Sequence, residues 1–205
     1  MQTNIIWTGL QYHSIEHCSW TNSANGNEIV SAIVGYYENK IYKVEYNIET
    51  NVNWETKSVT IRIKIDDAAD TIILKKQDEK WILNGVPADE YNGIYDIDIS
   101  LTPFTNTLPV RRLKLTGHEE QVITVIYFDI LDRQIKPLKQ IYTRLTAHNY
   151  KYENYDKSFT ANIQTDEDGL VKDYPTLFEM SAKQKAGAET PGAPSDLHET
   201  DQADT

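Results

Sequence analysis

Hydrophobic and polar residues alternate with a period of two through much of this chain. Lys57 to Asp66 reads KSVTIRIKID, with Val59, Ile61, Ile63 and Ile65 on one side and Ser58, Thr60, Arg62 and Lys64 on the other. Successive side chains of an extended backbone point to opposite faces, so this pattern predicts a half-buried strand. Ile41 to Glu49 repeats it with Tyr42, Val44, Tyr46 and Ile48. Strands are also expected at Glu28 to Tyr37, Asp70 to Lys76, Lys80 to Leu83, Ile94 to Ser100, Ile135 to Leu145 and Ser158 to Thr165. Val122 to Leu131 (VITVIYFDIL) is apolar on both sides. Such a strand needs cover on both faces, from a short helix or from a returning edge of the sheet.

Turn-forming residues separate the runs: Ala24-Asn25-Gly26, Asp66-Asp67, Asn84-Gly85, Asn92-Gly93 and Asp168-Gly169. No window combines helical periodicity with caps, so at most one or two short helices are expected, near Pro103 to Thr107 and Pro175 to Met180. From Ser181 onward Ala, Gly, Glu, Thr, Pro and Asp dominate, and Leu197 is the only large apolar residue. A segment of that kind buries too little surface to offset the entropy of ordering it. The expected organisation is one mostly β domain over 1–180 and a disordered acidic tail over 181–205.

Composition narrows the functional classes. The chain has 205 residues, the size of one domain, and carries 13 Tyr against 4 Phe. Tyrosine suits pleated surfaces that are dry at one end and wet at the other. A net charge of −11 argues against nucleic acid and against docking on anionic lipid, both of which draw on clustered Lys and Arg. The single cysteine, Cys18, allows no intramolecular disulfide and fits a reducing compartment. The N-terminus lacks a basic start and an apolar core segment, and no run is long enough to span a bilayer. A cytoplasmic protein without membrane insertion is therefore expected; its oligomeric state is not legible.

Three features carry candidate chemistry. His13-Ser14-Ile15-Glu16-His17 matches HxxEH, but zinc chemistry needs that motif on a helix, with both histidines on one face. Its context here is a strand, so a chance match is expected and no metal or cofactor is assigned. On a strand His17 points away from Cys18 and cannot activate it, which leaves Cys18 as a buried structural residue. The third feature is Asp96 to Leu113, DIDISLTPFTNTLPVRRL. Asp96 and Asp98 share one strand face, spaced for acid/base work or to receive two guanidiniums. Arg111 and Arg112 follow a loop that Pro103 and Pro109 stiffen. Thr105 and Asn106 add hydrogen-bonding groups and Phe104 a stacking face. This composition suits a salt-bridge lock at a corner of the sheet, or contact with a polyol or sugar headgroup. Trp54, like the other tryptophans, is either core or the lining of a ligand groove. Tyr150 and Tyr152 share a strand face, as an aromatic wall or as cross-strand packing.

Several blocks together carry a resemblance. IEHCSW, Asn53-Trp54-Glu55-Thr56, DIDISLTPFTNTLPVRRL, Lys139-Gln140-Ile141-Tyr142-Thr143, Tyr150-Lys151-Tyr152-Glu153 and DGLVKDYPTLF occur in that order. Over Trp7 to Phe178 the chain resembles the putative glycolipid-binding family of bacterial proteins. The resemblance implies a broad, strongly curved antiparallel sheet, an unclosed barrel similar to bacterial lipoprotein-carrier folds, with a concave face suited to an acyl chain. It adds Trp54, Gln140 and Tyr142 to the candidate ligand residues. The expected function is a non-catalytic module for an amphipathic or apolar ligand such as a glycolipid. The alternative is an enzyme on a glycoconjugate or small ester, with Asp96 and Asp98, or Glu16, as acid and base. Within the motif, Phe104, Thr105 and Asn106 are expected to meet the ligand, and Asp96, Asp98, Arg111 and Arg112 to lock the fold.

Overall fold

The alternating segments do form strands, and among the described residues every strand joins a single sheet. The computed structural model describes residues 1–187. Its first half comprises β1 (Gln2–Gly9), β2 (Ser14–Ser23), β3 (Gly26–Tyr37), β4 (Lys40–Thr50), β5 (Thr56–Ile65), β6 (Ala68–Gln77), β7 (Lys80–Leu83) and β8 (Val86–Pro87). Then follow β9 (Asp96–Ile99), a 3-10 turn (Phe104–Asn106), α1 (Thr107–Leu113) and β10 (Glu120–Asp129). The chain continues through β11 (Gln134–Arg144), β12 (Asn149–Asn154), β13 (Thr160–Thr165), β14 (Val171–Tyr174) and β15 (Phe178–Lys185). The strand order is β8-β7-β6-β5-β4-β3-β2-β1-β15-β14-β13-β12-β11-β10-β9. All pairings are antiparallel except β9 with β10, whose parallel alignment requires the crossover that contains α1.

The sheet is not closed by strand pairing, yet it rolls back on itself. The backbone N–H of Thr56 in β5 donates to the carbonyl of Tyr95, just before β9, at 2.9 Å. Ten strands lie between β5 and β9 in the sheet order. Although β9 is an edge strand, Asp96, Ile97 and Ile99 are buried. Ile97, Ile99, Ile126 and Phe128 join a core with Trp7, Ile33, Tyr46 and Trp81 of the first strands. On the opposite face, Ile123 and Val125 join a second core with Tyr142, Tyr152, Tyr174 and Phe178. The β9–β10 end therefore lies inside the roll, between two cores. This accounts for the doubly apolar β10, and its cover on the first side is the returning sheet.

Three expectations need correction. The short helix expected near Pro103 to Thr107 is present as a 3-10 turn over Phe104–Asn106, but it leads into α1, where a proline-stiffened loop was expected to run on to the arginines. Pro109 is the third residue of α1, where the backbone N–H would have no intrahelical acceptor, so proline removes nothing. Lys114, at a left-handed φ of 50°, ends the helix. No helix forms over 175–180. A tight turn closed by Leu177 N–H to Tyr174 O leads straight into β15, where Phe178 and Met180 pair with Gly9 and Trp7 of β1. Because β15 continues to Lys185, the domain extends past residue 180. Its last residues are polar and show no hydrophobic pattern; pairing with β1 defines them. The remainder of the expected tail lies outside the described residues.

Candidate functional site

A cavity of about 480 Å³ opens on the inner face of the roll. Tyr127 from β10, Tyr152 from β12 and Tyr174 from β14 line it, with Tyr12 from the β1–β2 turn and Phe159 from the β12–β13 connection. Tyr152 is the hub: its ring lies edge-on to Tyr142 at 5.4 Å, Phe159 at 6.0 Å and Tyr174 at 6.2 Å. Burial holds the phenols of Tyr127, Tyr152 and Tyr174 above their ordinary range, so they remain neutral hydrogen-bonding groups at physiological pH. Asp98, Ser100, Asn106 and Asn154 add polar groups, and Asp129, Lys136 and Leu138 are also part of the lining.

Asp98 is the one carboxylate of the DIDIS strand that reaches this cavity. Thr105 Oγ1 donates to its Oδ1 at 2.9 Å and Gln140 Nε2 to its Oδ2 at 2.7 Å. Burial raises its pKa from the ordinary value, and the two donors act in the opposite direction. Next to it, Tyr142 donates to Asn106 Oδ1 at 2.8 Å. Gln140 and Tyr142 thus hold Asp98 and Asn106 in place from beneath rather than facing the cavity.

The arginine pair behaves differently from the expected lock. Arg112 alone pairs with Asp96, its Nε lying 3.0 and 3.1 Å from the two carboxylate oxygens. Arg111 makes no ion pair among the described residues; its guanidinium lies over the ring of Trp54 at 5.3 Å. Neighbouring positions on a helix point about 100° apart, so one short helix cannot aim both arginines at one strand. With Asp96 committed to Arg112, the two aspartates do not form a free acid/base pair. The expectation that the motif leaves Phe104, Thr105 and Asn106 exposed is also corrected. They are 0%, 2% and 6% exposed, and Phe104 sits in the first core, edge-on to Trp7 at 6.4 Å. Only Asn106 of the three lines the cavity.

The HxxEH segment lies mostly on β2, with His17 exposed, and Glu16 and Cys18 buried on the opposite face. Glu16 Oε1 accepts hydrogen bonds from Tyr46 at 2.6 Å, Ser31 at 2.7 Å and Thr102 at 2.9 Å, while Oε2 is buried without a partner. Desolvation pushes its pKa up to about 7. Glu16 does not line the cavity, which Thr102 separates from it. Asp166, Glu167 and Asp168 form the one close acidic group among the described residues, and the ammonium groups of Lys183 and Lys185 pair with Asp166 and Asp168.

Tyr12, Tyr127, Tyr174 and Phe159 were not singled out from the sequence. The excess of Tyr over Phe was the signal; which tyrosines converge depends on the roll.

Fold and site together define a mostly β protein built from one rolled, unclosed sheet around a polar-aromatic cavity. The chain belongs to the putative glycolipid-binding family, whose profile matches residues 4–180. It is similar to the crystal structure of a DUF1089 family protein from Pseudomonas aeruginosa, with 29% identity and a TM-score of 0.73. That match covers 81% of this chain and 91% of the other. A β-barrel-like DUF1849 protein from Brucella abortus shares the fold, with a TM-score of 0.52 at 8% identity, covering 89% of this chain and 95% of its own. No curated protein sequence matches the chain.

Proposed function

We propose that this chain is a non-catalytic binding module for a sugar-bearing amphiphile, with the sugar seated in the tyrosine-lined cavity. The observation that carries this reading is Asp98, a half-buried carboxylate held by Thr105 and Gln140, facing a cavity that combines aromatic rings with polar side chains. A sugar presents C–H faces that pack on aromatic rings and hydroxyls that donate to carboxylate and amide oxygens; Asp98, Asn106 and Asn154 supply such acceptors. The volume lies within the range of small-ligand sites. Leu138, Leu177 and Phe178 give the lining an apolar edge against which a lipid stem would rest. The family's name supports the same ligand class. Among the described residues no helix is long and apolar enough to cross a membrane.

Native mass spectrometry and calorimetry against a panel of glycolipids and matching headgroup sugars test this reading. Binding of a sugar-headed ligand is expected, with Asp98→Asn weakening it by about tenfold or more. That variant should fold, because the unpartnered Gln140 Oε1 is available to accept from the new amide once the Gln140 side chain flips. Binding of plain fatty acids alone, or affinity indifferent to Asp98→Asn, overturns the proposal.

A further inference from the structure

Successive turns of an antiparallel sheet alternate between its two ends. The tyrosine-lined cavity draws on the β1–β2, β12–β13 and β14–β15 connections, so it opens at one end of the roll. A second cleft, of about 430 Å³, draws on the β4–β5, β11–β12 and β13–β14 connections and opens at the other. Its lining includes Arg111, Lys114, Arg144 and His148, a concentration of basic groups in a chain whose net charge is −11.

Arg111 is built into position. Its guanidinium lies 5.3 Å from the ring centre of the buried Trp54. Its stem crosses Gly169 so closely that a Cβ there would come within 2.9 Å of Arg111 Cδ. Yet none of its five N–H donors finds an acceptor among the described residues, whereas Arg112 next to it gives its Nε and Nη2 to Asp96. Of the two acids in the same cleft, Asp166 is engaged elsewhere and Glu167 is largely exposed. Asp166 takes Lys183 on one oxygen and the backbone N–H groups of Asp168 and Leu170 on the other. Glu167 lies 3.7 Å from Lys183. Arg144 donates to the carbonyls of Leu115 and Thr146, so it braces the cleft while its charge remains in it. Lys114 makes no ion pair among the described residues.

We propose that this second mouth is an oxyanion site, in which Arg111, held between Trp54 and Gly169, receives a phosphate group, with Lys114 and His148 beside it. A planar guanidinium offers two parallel donors that match a phosphate edge, and stacking on Trp54 fixes its orientation before the ligand arrives. The phosphate has two sources, a soluble phosphate ester or a phospholipid headgroup, and these share the same chemistry at Arg111.

Calorimetric titration of the full chain with inorganic phosphate and with glycerol phosphate tests the soluble source. Co-sedimentation with phosphatidylglycerol vesicles, against phosphatidylcholine vesicles, tests the headgroup. Saturable binding in either arm is expected, weakening as salt rises. Arg111→Gln should reduce it by about tenfold or more, and Arg111→Lys by less, because lysine keeps the charge and loses the fork. Lys114→Gln, at an exposed position that cannot disturb folding, should weaken it further. Binding to both vesicle types alike, no saturable binding in either arm, or unchanged affinity in folded Arg111→Gln overturns the proposal.

Discussion

Arg112 holds Asp96 with Nε 3.0 and 3.1 Å from its two oxygens, and the pair closes the β9 edge of the sheet against α1. Asp96 is 1% exposed, so removing the guanidinium strands a carboxylate that burial already pushes toward a higher pKa. Arg112→Ala should therefore cost about 3 kcal/mol in urea unfolding, the low end for a broken buried pair because Arg112 itself is partly exposed. Arg111→Ala, which loses only a stacking contact, should cost about 1 kcal/mol or less. Equal losses would show that both arginines lock the fold.

Glu16 gives the fold a pH dependence of predictable sign. Its folded pKa is raised from 4.5 to about 7, so its carboxyl favours the folded state fully only below the lower value. That contribution drains away as pH rises through the folded value, to a total of about 3 kcal/mol. Stability measured by chemical denaturation should fall between about pH 4.5 and about pH 7, and Glu16→Gln should remove that slope. A Glu16→Gln curve parallel to the wild type would mean that Glu16 does not titrate in this window.

Phe104 is fully buried and meets Trp7 edge-on, so its role is in the core. Phe104→Ala should cost about 3–5 kcal/mol by leaving a cavity between the roll and its inner end. Thermal melting decides: a variant that melts with the wild type while losing ligand would return Phe104 to the binding surface.

Gly169 has a φ of +78° and carries the stem of Arg111 across it. Gly169→Ala should cost about 1–2 kcal/mol, from backbone strain and from the collision with Arg111. In an Arg111→Ala background the collision disappears and only the backbone part should remain. Additive losses in this double-mutant cycle would show that the two residues do not touch.

The same residues show where reading from sequence succeeds and where it stops. The expected strands at Lys57 to Asp66 and Ile41 to Glu49 appear as β5 and β4, because period-two alternation reports directly on which side of a backbone meets water. Cys18 and His17 separate onto opposite faces for the same reason. The Asp96 to Leu113 segment was legible as chemistry but not as geometry. Its prolines read as loop, since the sequence does not show that Pro109 would fall in a first helical turn. Its arginines read as a pair, since no local rule reports which one meets a carboxylate and which an indole.

What the sequence by itself determined is the mostly β class, the alternating core faces and the strand character of the HxxEH segment. These follow from interactions between residues close along the chain. Only the tertiary structure decided that β9 and β10 lie inside the roll and that Tyr127, Tyr152 and Tyr174 gather around Asp98. It also decided that Asp96 belongs to Arg112 while Arg111 belongs to Trp54. Those outcomes depend on how far the sheet curls, a property summed over all its strands that no single segment encodes.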